Sequence, residues 1–162
     1  MINRELTEIL RTLVQKLGNN DIRWVLVGSM SLALQGVKVV PGDIDILTDK
    51  NGAYKINALL KDFEVKSVKY RRTDNVQSYL GEFKVNNIKI EVMAEYQEKV
   101  NGQWQTLDSR LVSPTTIQFE GLQIPISDLG KQLQSYEISG REKDVDKIAA
   151  IREALENRHN QN

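Results

Sequence analysis

The sequence predicts a single α+β domain in which a mixed β-sheet is flanked by helices. Helical and strand periodicities alternate irregularly along the chain, unlike the regular βαβ repeat of a doubly wound fold. The length of 162 residues suits one compact domain. Apolar residues make up 40% of the chain and charged residues 27%, a balance typical of globular proteins. We therefore assign residues 1–157 to one domain and residues 158–162 to a polar tail.

The first part of the chain is predicted to alternate helices with short strands. Apolar side chains on one face predict a helix over residues 3–17, and a β-branched run predicts a buried strand over residues 22–27. A compact helix over residues 30–35 is expected to end at Gly36, because glycine readily adopts the left-handed conformation beyond a helix terminus. A second strand is predicted over residues 43–48.

The middle of the chain is predicted to be mainly β. A third helix over residues 51–61, capped by Asp49 or Asn51, precedes it. Strands are predicted over residues 63–70, 78–85 and 88–93. Asn86 and Asn87 separate two alternating runs and indicate a hairpin turn. Weaker strand candidates lie at residues 100–104, 110–112 and 116–119.

The C-terminal part is predicted to be helical. Ser127 is the expected N-cap of one helix, since serine readily accepts a hydrogen bond from the first turn. Gly140 separates this helix from a final one over residues 141–157. The predicted order of elements is therefore α-β-α-β-α-β-β-β-(β)-α-α.

The composition restricts the chemistry that the protein can perform. The chain contains no cysteine, which excludes disulfides, thiolate metal sites and cysteine nucleophiles. Its one histidine, His159, lies in the predicted tail, which argues against a Ser-His-Asp triad or a histidine-ligated zinc site. Lysine plus arginine number 22, as do aspartate plus glutamate, so a uniformly polybasic surface is excluded. Any catalysis must rest on carboxylates, amines, hydroxyls and backbone groups.

The sequence predicts no association with membranes. No apolar run approaches the ~18–20 residues of a membrane-spanning helix. The N-terminal segment carries Arg4, Glu5 and Glu8 and lacks the apolar core of a signal peptide. Together with the absence of cysteine, these features make the cytoplasm the expected compartment.

Two local motifs are candidates for binding phosphates and metal ions. Gly28-Ser29 lies between a predicted strand and helix, where glycine admits a ligand close to the backbone and helix N–H groups suit a phosphate. Asp43 and Asp45 project from the same face of a predicted strand, and a divalent cation such as Mg²⁺ or Mn²⁺ would relieve their repulsion. The alternatives are a tight turn that merely requires glycine and a strand end with solvent-exposed acids.

A third acidic residue lies on a later strand. Glu91 alternates with apolar Ile90 and Val92, and a neighbouring strand could bring it beside the aspartate pair. The alternative is that Glu91 belongs to the solvated face of its strand.

These motifs together resemble the nucleotidyltransferase superfamily of the DNA polymerase β type. That pattern is a hydrophobic residue, Gly, Gly or Ser, a spacer of about a dozen residues, and then Asp-hydrophobic-Asp-hydrophobic, which Val27 to Ser29 and Asp43 to Ile46 match. The segment Arg141-Glu142-Lys143-Asp144 is similar to one in small bacterial members such as the antibiotic nucleotidyltransferase and AbiEii-toxin-like groups. The resemblance implies a nucleotidyltransferase-like fold with C-terminal helices, extending from about residue 22 to 156.

The resemblance also implies a reaction and roles for particular residues. A nucleoside monophosphate would be transferred from an NTP to a hydroxyl acceptor, either a small molecule or a macromolecule. Asp43, Asp45 and Glu91 would hold Mg²⁺ or Mn²⁺, and Glu91 could instead act as general base. The nucleotide would bind to the residues that match the family's phosphate-binding positions and to nearby cations: Gly28, Ser29, Lys38, Arg141 and Lys143.

The sequence also departs from the family pattern. Many antibiotic-modifying relatives have an arginine shortly before the aspartate pair, where this chain has only Lys38 nearby, and no acceptor-binding domain is evident. Two alternatives therefore stay open. The chain could be a catalytically silent module of this fold that binds nucleotide or a partner protein, or an unrelated α+β domain.

The expected macromolecular partners are few. A basic run over residues 66–72 could contact nucleic acid, although its alternation favours a solvated strand face. Aromatic residues are only 6% of the chain, which argues against a stacking platform for single strands. Trp24 and Trp104 are expected to pack in or beside the core. Exposed edge strands leave a homodimer as an open expectation.

Overall fold

The computed structural model describes residues 2–161 and is an α+β domain built on one mixed sheet. Within this range there are five α-helices and eight strands. The helices are α1 (Arg4–Gly18), α2 (Gly28–Leu34), α3 (Lys50–Leu59), α4 (Leu129–Ser139) and α5 (Val145–Asn160). The strands are β1 (Trp24–Val27), β2 (Ile44–Thr48), β3 (Glu64–Arg72), β4 (Val76–Val85), β5 (Ile88–Val100), β6 (Gln103–Thr106), β7 (Thr115–Phe119) and β8 (Leu122–Ile126). Three 3₁₀ turns lie at Lys61–Phe63, Asp108–Leu111 and Glu142–Asp144.

The sheet combines parallel and antiparallel pairs. Its strand order is β3-β4-β5-β2-β1-β8-β7, and β6 also pairs with β5. The β2–β5 and β1–β8 pairs are parallel, whereas the other pairs are antiparallel. The predicted mixed sheet is thus confirmed, and two hairpin strands, β3 and β7, form its ends.

Hydrophobic side chains are buried on both faces of the sheet. The main core packs α1 and α3 against one face, with Leu10, Ile46 and Ile90 at its centre. A smaller cluster that includes Leu47 and Met93 lies on the opposite face. A third cluster joins α2, α4 and α5. No helix among residues 2–161 is long and apolar enough to cross a membrane.

Side-chain caps fix the beginnings of three helices. Asn3 accepts a hydrogen bond of 2.7 Å from the backbone N–H of Leu6 at the start of α1. Asp49 caps α3 in the same way, as predicted. The prediction that Ser127 caps α4 is wrong: Asp128 is the cap, and its carboxylate accepts from an N–H of the first turn. Ser127 is instead completely buried.

Two other predictions of local structure require correction. Residues 110–112 were expected to be a strand, but Arg110 lies in a 3₁₀ turn and its Nε donates to the carbonyl of Leu107. Helix α5 continues to Asn160, so His159 is helical although it was expected in a tail. The division into residues 1–157 and 158–162 stays a prediction.

Strand β5 is longer than predicted and contains a bulge at Glu95. Tyr79 of β4 pairs with Ala94, whereas Gln77, two residues earlier on β4, pairs with Gln97, three residues later on β5. Glu95 accommodates the additional residue with a φ of +52°, which a residue with a side chain rarely adopts. Because one inserted residue reverses the alternation of a strand, side chains beyond Glu95 face opposite sides from those the sequence pattern predicts.

Candidate functional site

Three adjacent strands assemble the centre of the candidate site. Asp45 on β2 pairs in register with Glu91 on β5 on one side and with Val27 on β1 on the other. Gly28 follows Val27 with a φ of +70°. A Cβ at Gly28 would lie 2.3 Å from Oδ2 of Asp45, closer than any real contact. The glycine is therefore required both by the turn and by the approach of the carboxylate.

A cleft opens above these residues, on the face of the sheet opposite α1. It has a volume of about 230 Å³ and is bounded by the sheet, the 3₁₀ turn at Asp108–Leu111, and the region of α4 and α5. Its acidic lining is Asp45, Glu91 and Glu98, and its basic lining is Arg110, Arg141, Lys143 and Lys147. Carboxylates on the sheet thus face cations that come largely from the C-terminal segment.

The electrostatics of the cleft centre on Asp45. Burial, followed by the negative charges of Glu91 and Asp43, raises the pKa of Asp45 to about 6, while Lys89 and Lys147 oppose the rise. The carboxylates on β2 and β5 therefore form a site in which negative charge is only partly compensated.

Lys89 is the nearest counter-charge on the sheet. Its Nζ lies 3.9 Å from Oδ2 of Asp43 and 3.8 Å from Oε2 of Glu91. Among residues 2–161, no three His, Cys, Asp or Glu side chains stand together in an arrangement ready to hold a metal ion. The ammonium group of Lys89 thus partly neutralises the acids that the sequence nominates as metal ligands.

A buried carboxylate orients two of the cations. Asp144 is completely buried, and its Oδ2 accepts from Nε of Arg141 at 2.8 Å. Nζ of Lys147 lies 3.9 Å from Oδ1 of Asp144 and 5.6 Å from the ring centre of Tyr136. Burial raises the pKa of Tyr136 to about 12, so this ring stays neutral. Asp144 therefore holds Arg141 and Lys147 at the edge of the cleft.

A second buried acid forms a hydrogen-bonded group deeper in the cleft. The hydroxyl of Tyr96 donates to Oε1 of Glu98 at 2.6 Å, and Oγ of Ser139 donates to Oε2. Burial, with a smaller contribution from Glu98, holds the pKa of Tyr96 above its usual range. The bulge at Glu95 places Tyr96 and Glu98 on the cleft side of β5.

The structure brings most of the nominated residues to one cleft. Its lining includes the nominated residues Gly28, Asp45, Glu91, Arg141 and Lys143. It does not include Ser29, Asp43 or Lys38.

Two of these outlying residues have identified contacts. Asp43 is exposed and connects to the site through Lys89. Lys38 forms an ion pair of 3.1 Å with Glu153 on the surface.

Several cleft residues were not predicted. The principal ones are Tyr96, Glu98, Arg110, Tyr136, Ser139 and Lys147. Lys147 lies four residues after Lys143, a spacing that places both on one side of a helical segment and could have nominated it. The sequence contains no such signal for Tyr96 and Glu98. Uninterrupted alternation from Glu91 would place both side chains on the face of β5 that points away from the cleft.

Comparison with solved structures supports the fold assignment. A candidate nucleotidyltransferase from Thermotoga maritima is 34% identical, with 97% of this chain and 96% of that chain covered and a TM-score of 0.78. Lincomycin-bound LnuA, a lincosamide antibiotic adenylyltransferase, shares the fold at 16% identity, with 90% of this chain and 95% of that chain covered and a TM-score of 0.59. A comparison with curated protein sequences finds no significant match.

The sequence also matches a family model over most of its length. The model is described as aminoglycoside-2''-adenylyltransferase, and it matches residues 9–151. This range contains every residue nominated for the site, from Gly28 to Lys143. The resemblance to nucleotidyltransferases is thereby confirmed, and the chain belongs to the aminoglycoside-2''-adenylyltransferase family.

Proposed function

We propose that this protein is a divalent-metal-dependent nucleotidyltransferase that moves a nucleoside monophosphate from an NTP to a hydroxyl acceptor. The arrangement of Gly28, Asp45 and Glu91 opposite a group of cations carries this proposal. The family description favours ATP as the donor, and its name together with LnuA favours a small antibiotic with a hydroxyl group as the acceptor.

The carboxylates have the chemistry that a hard divalent cation requires. Asp43, Asp45 and Glu91 offer oxygen donors, which Mg²⁺ and Mn²⁺ prefer. Burial first, and then the negative charges of Glu91 and Asp43, raise the pKa of Asp45, and a bound cation would oppose this rise by stabilising the ionised carboxylate. These three residues would hold the metal, and Lys89 would have to release Asp43 and Glu91. When bound, the metal supplies charge neutralisation and acidifies a coordinated hydroxyl.

The chain's own residues bind the triphosphate and handle the proton. Arg141, Lys143 and Lys147 neutralise the phosphates, and Asp144 holds two of these cations in place. The acceptor oxygen bonds to the α-phosphorus, the bond from that phosphorus to the leaving oxygen breaks, and pyrophosphate departs. Where Asp43 and Asp45 alone hold the metal, Glu91 accepts the hydroxyl proton as general base.

A catalytically silent, nucleotide-binding module is the second candidate. One observation favours it: Lys89 lies within 4 Å of both Asp43 and Glu91, where it competes with a metal ion. Such a module would bind NTP in the cleft without transferring a nucleotide.

An activity assay with a matched acidic control separates these functions. The protein would be incubated with each labelled NTP, Mg²⁺ or Mn²⁺, and a panel of aminoglycosides and lincosamides, and pyrophosphate and adduct formation would be measured. We expect transfer by the wild type and by Asp74→Asn, which changes an exposed turn residue, and none by Asp45→Asn or Glu91→Gln. NTP binding by calorimetry without transfer favours the silent module, and absence of NTP binding contradicts both functions.

A further inference from the structure

An aromatic and cationic surface covers the outer end of the sheet. We call it the outer surface and define it by four rings and three cations. Its rings are those of Tyr54, Tyr70, Tyr79 and Trp104. Its cations are Lys50, which lies 5.3 Å from the ring centre of Tyr79, and Arg72 and Lys99, which lie 5.3 and 5.6 Å from that of Trp104. Tyr54 and Tyr70 are 45% and 48% exposed.

The strand register places the strand residues of this surface on one face. Tyr70 pairs with Tyr79 across β3 and β4, and Lys99 pairs with Trp104 across β5 and β6. One row of paired residues crosses β3, β4, β5 and β6 between the Tyr70–Tyr79 pair and the Lys99–Trp104 pair. It consists of Arg72, Gln77, Gln97 and Thr106. Gln77 donates to Gln97, and Gln97 donates to Thr106 at 3.1 Å, so these three side chains of the row are joined by hydrogen bonds.

A hollow lies within this surface. Its volume is about 280 Å³, and Tyr70, Glu95, Gln97 and Thr106 line it. Glu95 is the bulged residue of β5, and its strained backbone turns an exposed carboxylate towards the hollow. β-Bulges and strained residues are over-represented at functional sites, which draws attention to this point on the surface.

The outer surface is separate from the cleft. Tyr96 and Glu98 line the cleft, whereas Gln97 and Lys99 of the same strand belong to the opposite face. About six residues separate Glu91 from Gln97 along β5, which corresponds to roughly 20 Å. A ligand on the outer surface would therefore leave the cleft accessible.

We propose that the outer surface binds single-stranded nucleic acid. The half-exposed rings of Tyr54 and Tyr70 stack on unpaired bases, and the adjacent cations contact the phosphates. The carboxylate of Glu95 offers hydrogen-bond acceptors for base edges in the hollow. The low aromatic content of the sequence argues against a stacking platform for single strands. The fold nevertheless gathers three of the five tyrosines and one of the two tryptophans on the outer surface.

Charge and ring exposure favour this occupant over two others. An acidic peptide would be attracted by Arg72 and Lys99 but would not use the half-exposed rings of Tyr54 and Tyr70. A second copy of the chain would bring like-charged cations together across a two-fold axis, which is unfavourable.

Fluorescence anisotropy with a labelled, mixed-sequence single-stranded RNA tests the proposal. We expect wild-type protein to bind it more tightly than the corresponding duplex, with an affinity that falls as salt rises. Tyr54→Ala with Tyr70→Ala should weaken binding by about tenfold or more, because these are the two exposed rings of the surface. Phe63→Ala is the matched control, because Phe63 is 41% exposed and lies off the surface, and it should bind as the wild type does. A second pair, Arg72→Gln with Lys99→Gln, should reduce the salt dependence.

The remaining outcomes would each overturn the proposal. These are no binding by wild-type protein, equal loss in Phe63→Ala, unchanged affinity in both surface pairs with circular dichroism showing intact folds, displacement of the RNA by excess ATP, and equal competition by polyglutamate. A dimer detected by light scattering in the wild type that becomes a monomer in Tyr54→Ala with Tyr70→Ala would also overturn it. A single-stranded DNA of the same sequence distinguishes RNA from DNA as the preferred form.

Discussion

At the scale of single residues, Gly28 meets two requirements that only glycine satisfies together. Its φ is +70°, and a Cβ would lie 2.3 Å from Oδ2 of Asp45. We expect Gly28→Ala to lose about 2–4 kcal/mol of unfolding free energy and its nucleotidyl transfer. The matched control is Gly36→Ala, since Gly36 has a φ of +86° and a Cβ there would meet no atom within 4 Å.

Urea denaturation of both variants measures the difference. The backbone penalty should be common to the two, so the additional loss in Gly28→Ala reports the contact with Asp45. Equal losses would contradict the view that the carboxylate excludes a side chain at this position.

Asp144 is a residue whose effect on function is indirect. It is completely buried and binds Arg141, while Lys147 lies nearby. We expect Asp144→Asn to lose about 1–2 kcal/mol of unfolding free energy, because the hydrogen bond from Arg141 loses its charged acceptor. The loss stays modest because the side chains of Arg141 and Lys147 are 39% and 35% exposed, so that solvent screens their charges. Nucleotide affinity should also fall, since the cations lose their fixed orientation.

The affinity effect is measured by calorimetry with ATP at a temperature where the variant is folded. Asp146→Asn serves as control, because Asp146 is exposed on the first turn of the same helix. A destabilised Asp144→Asn protein with unchanged nucleotide affinity would show that Asp144 serves the fold alone.

At the scale of elements, the bulge in β5 is a strained point. Glu95 has a φ of +52° although it carries a side chain. We expect Glu95→Gly to raise the free energy of unfolding by about 1 kcal/mol, because glycine adopts this conformation without strain. Lys84→Gly, at an exposed position of regular strand β4, should lower it by about the same amount. Urea denaturation checks both signs, and a loss in Glu95→Gly would contradict the assignment of strain.

Elements with local signals were predictable from the sequence. The apolar stripe of residues 3–17 predicts α1, and Asn86 and Asn87 adopt the positive φ values of a tight hairpin turn. The predicted end of the strand near Met93 was wrong, because the bulge at Glu95 interrupts the alternation. The turn at Arg110 is held by contacts that no sequence period encodes.

The residues of the candidate site also fall into those with a local sequence signal and those without one. Asp45 and Gly28 follow from a local motif, and Glu91 from an alternating strand. Tyr96 and Glu98 depend on the bulge, and the pairing of Asp144 with Arg141 in a buried position depends on how the last helix packs. The sequence pattern therefore could not predict the site residues whose positions depend on long-range packing.

At the scale of the whole molecule, zero net charge conceals a separation of charges. Acids on the sheet face cations on the C-terminal segment across the cleft. We expect saturating Mg²⁺ with ATP to raise the melting temperature of the wild type by roughly 5–10 °C, because ligand bound to the folded state alone stabilises it.

A thermal denaturation series checks this expectation. Asp45→Asn should show little of the increase, and Asp74→Asn should retain it. An equal increase in Asp45→Asn would show that Asp45 takes no part in binding Mg²⁺ and ATP.

Strand β5 changes its neighbour at the bulge. Its first half pairs with β2 as far as Ala94, and its second half pairs with β6 from Gln97 onwards. The register of Asp45 against Glu91 is therefore set entirely before the bulge. Insertions, deletions or substitutions at the tip of the β5–β6 hairpin, at Asn101, would therefore leave the carboxylates of Asp45 and Glu91 in place. The outer end of the sheet can thus change in sequence and length without altering the register of Asp45 against Glu91.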